Sequence, residues 1–391
     1  CSGRRRPPLP LLLVLLALAI VVALAAVAQP AFAADPLPIT SYELYFGDLH
    51  AHTAYSDGAN DTTPADAYAA AAAAGADYFA TTDHEYMLED WQWADTLAMA
   101  DAATTESFVA IPGYEFFLQG GGACEINVFG TEERCDVPLR PGNAALDDEP
   151  YRLTSRRLEW SPLPGFYDWL VAHDAVGHFN HPHYLSKDFD DWNHCTEARD
   201  AAMGALEIHN YGSWLLWEYL DVDEEAFVAA LDKGWHLMPA ANSDTHAADW
   251  ITGSPVRTVL LAEQLTRDDL VDAIKAQRGY ATVDQDLRVQ YTLDGWVMGS
   301  TLGAPPETAT AWIRAEDPSD DPAEVITRLE IVADGGAVVA GRDFDTGNVA
   351  EWLVELDASA ARYFYVRVYT ASNVSGGPGI TAWTAPVWTG R

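Results

Sequence analysis

The chain has 391 residues, 49% of them hydrophobic, with a formal net charge of −37 and four cysteines. That apolar content excludes a disordered chain and leaves room for one large domain and a smaller one, each with its own core. The acidic field repels polyanions and attracts cations, so nucleic acid is not an expected partner and metal ions are, although much of the charge serves solubility.

Arg4, Arg5 and Arg6 precede an apolar run from Leu9 to Ala28 and then Ala31-Phe32-Ala33. This is the layout of an export signal, residues 1–33, cut after about Ala33. A retained membrane anchor is the competing reading, since the run approaches the roughly 20 residues that span a bilayer. The Ala-x-Ala site favours cleavage, so the expected location is periplasmic or extracellular, with no stable membrane insertion. In an oxidising compartment Cys124 and Cys135 are the expected disulfide pair, which leaves Cys195 single.

Tyr42–Leu49 reads as a strand, and it ends in His50-Ala51-His52, with Asp57 and Gly58 closing a short polar turn. Two imidazoles two residues apart on extended backbone leave the same face, a geometry that chelates one ion. Thr63 and Pro64 start a helix as N-cap and first helical residue, and Gly75 stops it. Tyr78–Thr81 is a strand ending in Thr82-Asp83-His84, and Phe108–Pro112 another ending in Gly113-Tyr114-Glu115. Residues 119 to 160 read as a long loop region, a substrate-side insertion, containing one strand at Ile126–Gly130.

The alternation resumes with a helix at Gly165–His173 and a strand at Val176–Phe179 that leads into Asn180-His181-Pro182-His183. Ala205–Ile208 is a strand ending near His209, Glu224–Lys233 a helix, and His236–Ala241 a strand ending in Asn242-Ser243-Asp244-Thr245-His246. Arg257–Ala262 and the helix Thr266–Gln277 complete about seven strands, most followed by helices. This predicts a parallel α/β barrel of the TIM type over residues 42–284, with its site at the strand C-terminal ends. From Arg288 six short strands follow with no helical period between them, which predicts a β-sandwich-like domain over 288–391.

The candidate metal ligands are His50, His52, Asp57, His84, Glu115, His181, Asp244 and His246. Mixed imidazole and carboxylate donors suit zinc, manganese or iron, and eight ligands are too many for one ion, so two or three divalent ions are expected. His173, His194 and His236 are expected to be surface or packing residues. His178, His183 and His209 lie near the site, as donors that orient ligands or touch substrate. Arg278 is the one basic candidate for substrate binding. No Gly-x-Ser-x-Gly elbow and no P-loop is present, so serine-hydrolase and nucleotide-triphosphatase readings lack a motif.

Gly47-Asp-Leu-His-Ala-His-Thr53 with Ser56-Asp-Gly58, Thr82-Asp-His84, Glu115, Asn180-His-Pro182 and Ser243-Asp-Thr-His246, in this order, resemble the PHP (polymerase and histidinol phosphatase) superfamily. The export signal and the β-region ending in Ala382-Trp-Thr-Ala-Pro-Val387 make the chain most similar to the carbaryl-hydrolase-like branch. The resemblance implies a distorted (β/α)7 barrel with up to three metals. His50, His52, Glu115 and Asp244 would hold one ion, Glu115 and His181 a second, and Asp57, His84 and His246 a third. One departure stands out. The family usually has a His in the Gly-rich loop after the Glu, where this chain has Glu125. Either Glu125 is an oxygen ligand that hardens the second site, or that site is weak or empty.

The expected function is an exported metal-dependent hydrolase of a small molecule, with hydroxide held between two ions attacking a phosphate ester. The alternatives are carbamate, amide or carboxylic-ester hydrolysis at the same centre, and a non-catalytic protein that binds metal and a glycan or partner.

Overall fold

The structure, a computed structural model, describes residues 41–118, 124–135, 162–182, 189–211, 223–345, 347–372 and 379–390. It is a mixed α/β protein with three sheets of ten, four and five strands and few helices. The export signal, most of the 119–160 loop and His183 lie outside the described residues.

In the first half of the chain the strands are β1 (Glu43–Asp48), β2 (Tyr78–Thr81), β3 (Val109–Pro112), β4 (Tyr114–Leu118), β5 (Cys124–Phe129), β6 (Val176–Phe179), β7 (Met203–Asn210) and β8 (Met238–Asn242). β1, β2 and β3 are parallel neighbours, and so are β6, β7 and β8. Only Gly113 separates β3, the last strand of one sheet, from β4, the first of the next. A Cβ there would lie 2.7 Å from the Phe129 ring, so the crossing requires glycine. β4 and β5 then run antiparallel to one another, and β5 antiparallel to β6.

The expectation of parallel strands throughout does not hold for β9 (Arg257–Ala262), which runs antiparallel to β1 and to β10 (Gly279–Thr282). The physical reason is the connection from β8 to β9. Residues 243–256 contain no helix, and a reversal of direction needs no crossover helix, whereas a parallel return does. β8 and β9 are joined through a side chain, because Thr258 Oγ1 accepts from Ala241 N at 3.0 Å and donates to Ala241 O at 3.1 Å.

The helix Pro64–Ala73 starts as the sequence suggests, with a reciprocal capping box between Thr63 and Asp66. The segment 86–107, unassigned from sequence, contains the helix Asp90–Ala103. Its buried residues are Trp93, Thr96 and Ala100, a stripe too short and too polar to give a clear periodic signal.

Beyond β10 come β11 (Arg288–Leu293), β12 (Trp296–Val297), β13 (Thr308–Glu316), β14 (Ile326–Ala333), β15 (Ala337–Asp343), β16 (Val349–Asp357), β17 (Tyr363–Thr370), β18 (Gly379–Thr384) and β19 (Val387–Trp388). They divide between two sheets. β12, β11, β13 and β16 form the four-stranded one, while β14, β15, β17 and β18 extend the sheet of β1 through pairing of β18 with β10. β15 is an exposed edge strand with no alternation, which is why the sequence does not reveal it. One apolar cluster runs from Leu49 and Tyr78 through Val259 and Tyr280 to Ile313 and Val366, so the C-terminal strands share a core with β1.

Candidate metal centre

The chain leaves β1 through a buried aspartate. Asp48 accepts from His50 N at 2.9 Å and from Ser243 N at 3.0 Å, which ties the end of β1 to the segment after β8. The two segments then run side by side, with Asp244 N donating to His50 O and His52 N to Thr245 O. Asp83, after β2, is a second latch, accepting from Thr53 N, Thr53 Oγ1 and Ser56 Oγ at 2.7 Å each. These bonds fold the loop between His52 and Asp57 back over the strand end. Gly58 closes it, where a Cβ would lie 2.6 Å from His52 C.

The imidazoles converge with Nε2 inward. His50 Nδ1 donates to Glu207 Oε1 at 3.1 Å and His246 Nδ1 donates to Asp244 O at 3.0 Å, which leaves each Nε2 as an acceptor. His50 Nε2 and His52 Nε2 are 3.3 Å apart, and both face Asp244 Oδ1, at 3.3 and 3.1 Å. His50 Nε2 is 3.3 Å from Glu115 Oε1, and His52 Nε2 is 3.5 Å from Glu115 Oε2. Four-coordinate zinc with ligand bonds of about 2.0–2.1 Å has ligand-to-ligand edges of about 3.3 Å. With the imidazoles neutral these are acceptors facing acceptors in a buried site, so either protons or a metal ion must lie between them, and the mixed imidazole and carboxylate set at this spacing fits a divalent metal.

Two further groups adjoin this one. His181 Nε2 lies 3.3 Å from Glu115 Oε1 and 3.3 Å from Glu125 Oε2. His246 Nε2 lies 3.3 Å from Asp57 Oδ1, and His84 Nε2 lies 3.5 Å from Asp57 Oδ2. His84 also turns Nδ1 toward Glu115 Oε2 at 2.9 Å. Glu115, only 1% exposed, therefore stands among all three groups. It lies inside β4 and not in a loop after β3 as the sequence suggests, held there by pairing with Asn127. His181 and Asp244 both have left-handed backbone, with φ of 26° and 45°, strain that the surrounding bonds hold in place.

The charges are strongly coupled. Burial alone would lower the His50 imidazole, but Asp244, Glu207 and Glu115 hold it well above its usual value. Burial would raise Glu115 and Asp244, yet the neighbouring imidazoles, His50 foremost, hold both carboxyls low. His52 is lowered by burial, and the charges of His84 and His246 push the same way.

All nine residues from His50 to His246 expected as ligands, Glu125 included, thus lie in adjoining groups that could each hold an ion. The substrate candidates fare differently. His209 is buried in β7 with its ring 6.4 Å from that of Tyr211, and His183 is outside the described residues. Arg278 is corrected: it precedes β10 at the end of the sheet away from His50, donating to Leu261 O and lying 4.8 Å over the Tyr42 ring. The register places it there, since Leu261 pairs with Leu44 at the start of β1. The expected disulfide involves Cys124, whose side chain lies outside the described residues. Cys195 is a free thiol, half-buried and pushed up to about 12 by burial and then by Asp200.

Glu207 is the residue that sequence reasoning missed. It is 1% exposed and accepts from His50 Nδ1 and Asn242 Nδ2 on Oε1 and from His181 N and Asn210 Nδ2 on Oε2. Burial pushes its carboxyl up, but the charge and hydrogen bond of His50, with the charges of His178 and His181, hold it at about 2. The available signal was an acid within the apolar strand Met203–Asn210. Asn180 similarly donates to Glu115 Oε1 at 2.7 Å and is oriented by His178 Nδ1 at 2.7 Å.

A cavity of about 420 Å³ opens beside Asp57 and His246, lined also by Tyr211, Ser243, Thr245 and Asp249. Among the described residues no Lys or Arg lines it. No described helix is long and apolar enough to cross a membrane.

No family model matches the sequence, and no curated protein does. Among solved structures the chain is similar to a two-domain protein from Bacteroides vulgatus containing a predicted PHP-like metal-dependent phosphoesterase. The identity is 15% and the TM-score 0.47, with 88% of this chain and 97% of that one covered. At that level the likeness assigns no chemistry to this chain.

Proposed function

We propose that the chain is a metal-dependent hydrolase of the PHP type, in its carbaryl-hydrolase-like branch, acting on phosphate esters of small molecules outside the cytoplasm after loss of residues 1–33. The fold proposed with it is a distorted (β/α)7 barrel over residues 42–284, followed by a β-sandwich-like domain over 288–391. The two runs of parallel strands and the Thr258 link between β8 and β9 support the barrel.

The observation that carries the functional reading is Glu115. Its two oxygens face four imidazoles, His50 and His181 through Oε1 and His52 and His84 through Oε2. A carboxylate so placed could serve more than one cation, which supports a reading of two or three ions in one centre. Divalent ions held there would supply a nucleophilic water at neutral pH and neutralise charge developing on the attacked ester.

The protein's own residues set up that chemistry. His50, His52, Glu115 and Asp244 would hold one ion, Glu115, Glu125 and His181 a second, and Asp57, His84 and His246 a third. Glu207 fixes the His50 ring so that Nε2 faces inward, and Asn180 does the same for Glu115. Asp57, 44% exposed in its side chain, and His246 stand where the cavity meets the ligand groups, so substrate enters from their side.

One observation favours a second reading. Among the described residues no Lys or Arg lines the cavity, which suits a neutral carbamate, amide or carboxylic ester better than a phosphate dianion. Metal analysis of the purified protein, with turnover of chromogenic phosphomonoester, phosphodiester and carbamate substrates with and without manganese or zinc, separates the two. Phosphoester turnover that depends on metal supports the first reading, and carbamate turnover alone replaces it with the second. Bound metal with no turnover of any of the three would refute both in favour of a binding protein. His52→Ala and Asp244→Ala should abolish turnover, and persistence in either would sink the metal mechanism.

A further inference from the structure

A second set of carboxylates converges away from this centre. Asp284 follows β10, Asp317 follows β13 and Glu324 precedes β14. One oxygen of each lies within 4.8 Å of the others, although the three residues come from two separate connections. Asp284 is 8% exposed and Asp317 2%. Backbone amides occupy part of the set: Asp284 Oδ1 accepts from Asp286 N and Leu287 N, and Asp317 Oδ1 accepts from Ser319 N.

The remaining oxygen of Asp317 has no such partner. Oδ2 is buried and accepts no hydrogen bond. A buried carboxylate oxygen in that state is costly, and here its surroundings are negative. Burial first, then the like charges of Asp284, Glu324 and Asp286, push the Asp317 carboxyl up to about 7. Arg257 is the cation whose charge reaches Asp284, but its guanidinium donates to the carbonyls of Ser254, Val256 and Ile251. Among the described residues no Lys or Arg forms an ion pair with Asp284, Asp317 or Glu324.

We propose that Asp284, Asp317 and Glu324 form a calcium site that ties the loop between β13 and β14 to the end of β10. The donors are all oxygen, with no imidazole or thiolate, which selects a hard cation. Carboxylates brought together from two separate connections suit calcium, which accepts irregular oxygen geometry with bonds of about 2.3–2.6 Å, whereas magnesium demands a near-ideal octahedron. The imidazole-rich centre selects different ions, so the two sites load independently. The consequence is mechanical: calcium pins the connection by which the chain passes from β10 into the C-terminal strands.

The test is a calcium titration of the chelator-treated full chain, followed by calorimetry and thermal melting, on wild type, His52→Ala, Asp317→Asn and Glu324→Gln. Wild type should bind one equivalent and gain about 3 °C in Tm at saturating calcium. His52→Ala should respond as wild type does. Asp317→Asn and Glu324→Gln should lose at least about tenfold in calcium affinity, and Asp317→Asn without calcium should melt no lower than wild type, since the amide removes a repelled charge. Glu324 is only partly buried, so that variant tests the site even if Asp317→Asn does not fold. No calcium response in wild type, an unchanged response in both carboxylate variants, or a response lost in His52→Ala instead would overturn the proposal.

Discussion

Glu207→Gln is nearly isosteric, and its effect can be worked out from the hydrogen bonds. Each carboxylate oxygen accepts from two donors, His50 Nδ1 and Asn242 Nδ2 on one and His181 N and Asn210 Nδ2 on the other. A glutamine amide must turn its NH2 toward one of these pairs, whichever way it flips. Two buried donors then face a donor, at about 1–3 kcal/mol each before relaxation. If the NH2 faces His50, the ring loses the bond that points Nε2 inward. If it faces the other side, the backbone of the candidate ligand His181 shifts. Metal affinity should fall about 10–100-fold, the range for loss of a partner that orients a ligand, or about 1.4–2.8 kcal/mol. The assay is chelator competition against zinc or manganese, with the stoichiometry read beside the affinity. Affinity within about threefold of wild type would refute the claim that Glu207 positions the centre.

Three further outcomes follow from the same geometry. Glu125→Gln should lower the metal stoichiometry by one without loss of the ion held by His50 and His52, and an unchanged count would remove Glu125 from the ligands. Arg278→Ala should leave kcat/KM within about twofold of wild type, because the side chain lies at the other end of the sheet. Its cost should be no more than about 1 kcal/mol, from the lost contact with Tyr42, by urea denaturation. The pH dependence has a definite sign. The raised imidazoles of His50, His84 and His246 stabilise chelator-treated protein fully below about 6.5 and lose that contribution as pH rises through their folded values. The lowered carboxyl of Glu207 acts in the opposite direction, losing its contribution as pH falls from about 4.5 toward about 2. Metal binds the deprotonated imidazoles, so added manganese should raise Tm more at pH 8.5 than at pH 6, and an equal shift at both would contradict the ligand assignment.

Most of the candidate ligands were legible because they are chemically unusual residues at the end of an apolar run: His50 and His52 after β1, His84 after β2, Asp244 and His246 after β8. Their mutual arrangement was not legible, since it depends on Asp48, Asp83 and Glu207, acids that look in sequence like any other in so acidic a chain. Arg278 was misplaced for a related reason. Position just after a helix does not say which end of the sheet a residue occupies, and that end is set by the reversed direction of β9. The reversal itself follows from residues 243–256 forming no helix, which composition does not announce. In the C-terminal region the strands with alternating burial, such as β16, were visible. The division of those strands between two sheets was not, because it is fixed by pairings such as Tyr280 with Thr384 that link distant parts of the chain.

That last pairing constrains when the protein can finish folding. β10 lies two places from β1 in the sheet, and its outer edge stays bare until residues 379–384 have left the ribosome. The loop closed by Tyr280 and Thr384 is long, and contacts of that separation form slowly. That edge of β10 can therefore be covered only after residues 379–384 have been made. For a chain exported as proposed here, the sheet cannot be joined across β10 until that later segment has crossed as well.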